Sequence, residues 1–304
     1  MRLVFMGTPA FAAACLSAVL ETEHEVVGVY TKPDTPKNRG MKLIPSEVKV
    51  LAQAHGLPVY QPTGFRDDEV YETLKALAPD LIVAVAYGKL LPQRVLDIPP
   101  LGCINIHGSI LPALRGAAPV QWAVLNDLPE TGVTAMYLNA GMDEGDIIDV
   151  RTTPIGETET AGELMDRLAV LGAELLRDTL SAIAGGTASR RAQDPALASY
   201  APMLTKELSP IDWTQTARHI LAKIRGLNPW PAATATLCGT EFKIWEARAN
   251  AQRTDAEPGA PVSLTKAGLV VACGDGTILI TKLQAPGRKA MSAADYFRGH
   301  PIDI

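Results

Sequence analysis

The sequence predicts an α/β protein: a doubly wound, mostly parallel sheet followed by a small β-barrel of the OB-like kind. Three observations carry this. A strand (residues 3–6), a Gly7-Thr8-Pro9 turn, a helix (10–20) and a second strand (26–30) fit within the first 30 residues, which makes a βαβ unit. The run LIVAVA at 81–86 holds no polar side chain, as a strand buried on both faces requires. Beyond residue 208 the pattern changes to short strands between turn residues, at 235–237, 242–246, 269–273 and 278–283, which suits a small barrel. A chain of 304 residues has room for two such parts. They are expected at 1–184 and 208–304. Residues 185–207, polar and aperiodic, read as the linker.

Each element has its own signal. The first turn is GTP and not GxGxxG, so it gives no dinucleotide site. Residues 31–49 form a long basic stretch with Lys32, Lys37, Arg39, Lys42 and Lys49, interrupted by three prolines. Long loops in compact domains are often functional. This one fits a solvated loop and a phosphate-touching arm equally, with Arg39 the strongest contact candidate. Helices are expected at 46–55 and 67–77, with a short strand at 59–60 between them. Strand 103–106 follows, then helix 118–126 and strand 132–138. Thr160-Ala-Gly-Glu163 is a capping box that opens a structural helix with apolar residues at Leu164, Leu168, Leu171, Leu175 and Ile183. Gly185-Gly186 ends it. A further helix at 217–227 is closed by Asn228-Pro229-Trp230-Pro231.

Composition narrows the function classes. No apolar run reaches the roughly 18 residues that a membrane span needs, and the N-terminus enters a strand at once without a leader pattern. A cytoplasmic protein without membrane partners is expected. Four cysteines without CxxC spacing suggest neither a zinc site nor a disulfide framework. Net charge is −5. Residues 206–304 hold 12 Lys/Arg against 9 Asp/Glu, a balance of +3, which leaves −8 on the rest. The first part is too acidic to meet nucleic acid as a whole; the last part suits it better.

The chemistry concentrates between residues 101 and 148. Asn105 and His107 stand at i and i+2 on a buried strand, so they share a face. An Asn offers N–H donors to a carbonyl oxygen, and a His moves protons near neutral pH. Asp143, in the loop Asp143-Glu144-Gly145-Asp146, suits the role of the acid that orients a His and stabilises its cation. Such a trio fits acyl transfer to an amine that the substrate brings itself. By spacing alone the same residues also fit a structural His, a capping Asn and a solvated or metal-binding turn. Ser109 lacks the GxSxG elbow of a nucleophile.

The stretch NIHGSILPALRGAAPVQW, followed by GMDEGDII, resembles the folate-dependent formyltransferases. Asn105, His107 and Asp143 match that family's catalytic Asn, His and Asp. Ser109, Ile110, Leu111 and Pro112 match its SLLP folate loop, and Tyr87, Gly88 and Leu90 lie in a stretch similar to the loop that walls the pterin. The continuation Gly116-Ala117-Ala118-Pro119-Val120-Gln121 and the basic loop favour the branch that acts on methionyl-initiator-tRNA over the amino-sugar branch. The resemblance implies a Rossmann-like formyltransferase core. It implies 10-formyltetrahydrofolate as formyl donor, no metal, and tRNA as partner of a monomeric enzyme. It places tRNA contacts at Arg39 and Lys42, and in the last part at some of Lys206, Arg225, Lys243, Arg248, Arg288 and Lys289, of which Lys206, Arg288 and Lys289 are preferred. A folate- or RNA-binding module without turnover is the alternative from another class, and the intact trio argues against it.

Overall fold

The computed structural model describes residues 1–37 and 42–302. The chain divides into two compact units: Met1–Pro119, Thr131–Thr153 and Met165–Pro202 form the first, and Val120–Glu130, Pro154–Leu164 and the chain from Met203 on form the second.

The chain opens with β1 (Arg2–Gly7), α1 (Ala10–Leu20) and β2 (Glu25–Tyr30), as the βαβ pattern predicts. The basic stretch then forms a short hairpin, β3 (Thr35–Lys37) with β4 (Lys42–Ile44), where the sequence suggests only a loop. Arg39 lies outside the described residues, as does the side chain of Lys42. Next come α2 (Glu47–Ala54), β5 (Val59–Tyr60), α3 (Asp68–Ala76), β6 (Leu81–Val85), α4 (Gln93–Leu96), β7 (Cys103–His107) and β8 (Arg115–Gly116). They are followed by α5 (Pro119–Leu125), β9 (Glu130–Tyr137), β10 (Ile147–Pro154) and α6 (Ala161–Ala184). Three of these helices, α2, α3 and α6, start on a side-chain cap. The Ser46 hydroxyl accepts from the Lys49 amide, the Asp67 carboxylate from Glu69, and Thr160 and Glu163 satisfy each other's amides. Each such cap contributes about 1 kcal/mol.

Seven strands form one sheet in the order β10-β9-β7-β6-β1-β2-β5. β1 pairs with β2 and β6 in parallel, as do β2 with β5 and β6 with β7, whereas β7 meets β9 antiparallel. From β1 the chain winds out to β2 and β5, then returns to the other side of β1 for β6 and β7. The winding therefore switches between β1 and β6, and in such sheets ligands collect there, beyond the C-terminal strand ends. Thr8, in the turn after β1, donates its hydroxyl to the Tyr87 carbonyl after β6 at 3.5 Å. Leu3 to Met6 and Leu81 to Val85 are buried, with an aromatic layer of Tyr30, Phe65 and Tyr87 against them.

The segment read as a linker holds more structure than its composition suggests. Arg191 exchanges backbone hydrogen bonds with Ile147, and β11 (Tyr200–Ala201) pairs in parallel with β8. The contacts that order it are distant in sequence and leave no periodicity.

In the second unit, α7 (Ala217–Gly226) precedes β12 (Ala233–Leu237), β13 (Thr240–Asn250), β14 (Pro261–Leu264), β15 (Leu269–Cys273), β16 (Gly276–Gln284) and β17 (Met291–Ser292), and α8 (Ala293–Gly299) follows. The strands make one antiparallel sheet, β12-β13-β16-β15-β14 with β17 on β16, consistent with the small barrel expected. α8 was not apparent from the sequence. Its Tyr296 and Phe297 pack on Phe242, with ring centroids 5.1 and 5.8 Å away. No helix among the described residues is long and apolar enough to cross a membrane.

Candidate active site

β7 delivers Asn105 and His107 to the C-terminal side of the sheet. It is flanked by β6 and β9, with Asn105 opposite Ala84 and Met136 and His107 opposite Thr134. His107 is buried, 6% exposed, and its ring is held from two sides. Nε2 lies 3.0 Å from the Leu114 carbonyl oxygen. A carbonyl only accepts, so Nε2 carries the hydrogen. Nδ1 lies 3.7 Å from Asp143 Oδ2. A neutral ring thus presents its lone pair on the carboxylate side, and a charged ring presents a second N–H there.

Asp143 is fixed by more than its neighbour. Its side chain is 16% exposed, and Oδ2 accepts the Gly116 amide at 2.8 Å. Its backbone adopts φ +54°, the left-handed region that non-glycine residues rarely enter. Two donations hold that turn: Gln193 Nε2 gives to the carbonyls of Asp143 (2.9 Å) and Gly145 (2.8 Å). Gln193 Oε1 in turn accepts from Arg115 Nε (3.1 Å) and Nη2 (2.8 Å). Neither Gln193 nor Ser199, whose hydroxyl accepts the Leu114 amide at 2.9 Å, was singled out in the sequence. Both stand in the aperiodic segment, where no spacing signal marks a residue that works through space.

The loop 109–112 is built by local polar bonds and one apolar anchor. The Ser109 hydroxyl donates to the Ala113 carbonyl at 2.6 Å, which commits it to the turn and away from a nucleophile's part. Thr134 Oγ1 donates to the Ser109 carbonyl and accepts the Leu111 amide. Leu111 is buried with Met136 and Ile147, while Ile110 and Pro112 are half-buried. On the other loop the Tyr87 ring is buried against Phe65, and its carbonyl accepts the Thr8 hydroxyl. Gly88 is exposed at φ +71°, and Leu90 is 71% exposed, an apolar side chain left at the rim. Burial and then the charge of Lys32 lower the pKa of Lys89 beside it.

Of the basic candidates, Lys206, Arg288 and Lys289 are exposed in the second unit. Arg225 is not free to meet a partner. It pairs with Asp127 at 2.8 Å and donates to the Glu159 carbonyl at 3.2 Å. Lys49 is likewise engaged, with Asp34 at 2.7 Å and Gln61 at 2.8 Å.

Comparison with known proteins adds the following. The formyl transferase family model matches residues 1–180, and the model of the formyl transferase C-terminal domain matches 203–301. A methionyl-tRNA formyltransferase of Geotalea uraniireducens (strain Rf4) is 46% identical over 302 residues, covering 99% of this chain and 96% of that protein. One from Trichlorobacter lovleyi is 46% identical over 303 residues, covering 100% and 95%. Among solved structures, an N-formyltransferase from Helicobacter canadensis in complex with folinic acid and dTDP-3-aminofucose aligns with TM-score 0.68 and 20% identity, over 94% of this chain and 99% of that one. HypX from Aquifex aeolicus in complex with tetrahydrofolic acid aligns with TM-score 0.67 and 19% identity, over 98% of this chain and 47% of that longer one. At these identities the structures establish the shared fold.

Proposed function

The chain belongs to the methionyl-tRNA formyltransferase family, and from that premise we propose that it moves the formyl group of 10-formyltetrahydrofolate onto the amine of methionyl-initiator-tRNA. The products are N-formylmethionyl-tRNA and tetrahydrofolate. The observation that carries the site assignment is the buried His107, set between a backbone carbonyl and the Asp143 carboxylate.

In this reading the methionyl amine attacks the formyl carbon. A new C–N bond forms, the carbonyl oxygen becomes an oxyanion, and the bond from the carbon to the folate nitrogen then breaks. The side-chain amide of Asn105 donates to the oxyanion; one such donor contributes about 2.7–4 kcal/mol in other enzymes. The attacking amine must lose a proton and the departing nitrogen must gain one. Nδ1 of His107 is the basic atom of the neutral ring, and the carboxylate of Asp143 stabilises the cation formed when it takes that proton. Ser109, Ile110, Leu111 and Pro112 shape the folate side, with Tyr87, Gly88 and Leu90 as the opposite wall. The exposed Leu90 at an otherwise polar rim supports that wall.

Catalysis falls to the unit that holds Asn105, His107 and Asp143 with their supports up to Pro202, and RNA contact to 208–304. Arg39, Lys42, Lys206, Arg288 and Lys289 meet tRNA phosphates, which makes binding weaken with salt. The enzyme acts in this reading as a monomer in the cytoplasm, where initiator tRNA is charged.

A formyl-transfer assay tests this. Purified protein receives 10-formyltetrahydrofolate with either methionyl-initiator-tRNA or an amino-sugar nucleotide, alongside a His107→Gln control. Formylated methionyl-tRNA, lost in the control, is expected. Formylation of the sugar alone, or an active control, defeats the reading.

A further inference from the structure

We propose that Gln193 is a positioning residue for Asp143, and that with Arg115 it forms a clamp setting both ends of the Gly116–Asp143 hydrogen bond. The proposal rests on the role given to Asp143 above.

The side-chain amide of Gln193 has two hydrogens and an oxygen with two lone pairs. All four positions are taken by protein. The hydrogens go to the carbonyls of Asp143 (2.9 Å) and Gly145 (2.8 Å), and the oxygen accepts from Arg115 Nε (3.1 Å) and Nη2 (2.8 Å). Nothing is left over for a substrate, so this residue acts through others. The place also dictates the residue type. A Glu of the same length would satisfy Arg115 but has no hydrogen for two carbonyls. A Met would fill the space and satisfy neither side.

The two ends of the clamp are what give it consequence. On one side it pins the carbonyls that bracket the acidic turn, and so holds Asp143 in its left-handed conformation at φ +54°. On the other it holds Arg115, which is 5% exposed and precedes Gly116. The Gly116 amide is the donor to Asp143 Oδ2 at 2.8 Å. Acceptor and donor of that bond are therefore fixed by one side chain, and the same carboxylate faces His107 Nδ1 at 3.7 Å. Flanking bonds keep the clamp in place: the Arg115 amide donates to the Ser199 carbonyl at 2.8 Å and the Ala117 amide to Ala201 at 2.9 Å.

The test uses the full chain carrying Gln193→Glu or Gln193→Met, each also combined with Asp143→Asn. Turnover and KM are measured with 10-formyltetrahydrofolate and methionyl-initiator-tRNA, the slow variants by single turnover with enzyme in excess. Exchange of the Gly116 amide hydrogen is followed by NMR, and a circular-dichroism melt identifies any variant that fails to fold. We expect kcat to fall at least tenfold in both single variants with KM within threefold, and the Gly116 amide to exchange at least tenfold faster. On the Asp143→Asn background, Gln193→Met should cost less than a further threefold. Parent-like turnover in Gln193→Glu, unchanged protection of the Gly116 amide, or a full multiplicative loss in the double variant overturns the clamp. If Met at 193 does not fold, the Glu variant decides. Parent-like turnover of Asp143→Asn alone would instead refute the catalytic role of Asp143, and Gly116 exchange would still decide whether Gln193 positions it.

Discussion

Replacing Asp143 by Asn removes one negative charge and little else. The amide oxygen of Asn still accepts the Gly116 N–H that Oδ2 accepts at 2.8 Å, so the turn keeps its anchor. What disappears is the attraction between the carboxylate and a cationic His107, whose nearest atoms are 3.7 Å apart. At an effective dielectric of about 20, two unit charges at that distance attract by about 4 kcal/mol. If the imidazolium is fully formed at the transition state, the variant loses about a thousandfold in kcat, since each factor of ten is about 1.4 kcal/mol. A half-developed charge gives about 2 kcal/mol and about thirtyfold. The expected fall is therefore between these limits, with KM for both substrates within a few-fold. Steady-state formylation of methionyl-initiator-tRNA at fixed pH and ionic strength measures it. A fall of less than tenfold, or a loss confined to KM, refutes the placement of Asp143 as the partner of a charged His107.

Three further outcomes are expected. Gly116 has φ +114°, and a Cβ there would lie 2.8 Å from the Ala201 carbonyl oxygen, so Gly116→Ala should cost about 2 kcal/mol. This would read as a melting temperature lowered by about 4–8 °C together with slower transfer; a parent-like melt would contradict it. Burial pushes the thiols of Cys15 and Cys103 up to about 12 and raises that of Cys273, while Cys238 is exposed. A thiol-reactive dye at pH 8 should therefore label one of the four cysteines in the native protein and none in Cys238→Ser. The hydroxyl of Thr214, the side-chain amide of Gln215 and the Thr214 backbone N–H lower the Asp212 carboxyl from 3.8 to about 2. Its charged form therefore stabilises the fold above pH 3.8, and that contribution is lost as pH falls through about 2. The gap in melting temperature between the parent and Asp212→Asn should be full at pH 6 and close between pH 4 and 2; a gap that widens in acid would reverse the assignment.

The sheet was legible where burial and period speak locally. The apolar run LIVAVA marks β6, and the Asn-x-His alternation on β7 puts two polar side chains on one face. The capping box marked the helix start at Thr160, because a capping bond closes within three residues of its owner, and the structure adds caps at Ser46 and Asp67. The hairpin of β3 and β4 was missed because prolines and lysines mask a three-residue pairing. Strand β13 runs to Asn250, beyond the expected residue 246, since only its first half alternates cleanly around buried Phe242 and Ile244. Gln193 illustrates the deeper limit. Its three partner residues lie 48 to 78 residues away, and no composition or period records a bond that closes over such a distance.

The pairing of β11 with β8 also fixes where genes of this kind can be cut and rejoined. The glycine pair at 185–186 looks like the natural seam, being polar, aperiodic and just past a long helix. A recombination event there would leave behind Gln193, Ser199 and Ala201, and with them the support of Leu114, Arg115 and Gly116. The hybrid would inherit an intact Asn105, His107 and Asp143 and still be crippled. A breakpoint after Pro202 keeps those supports with the first unit. Shuffled descendants that stay active should therefore carry residues 185–202 from the same parent as the histidine.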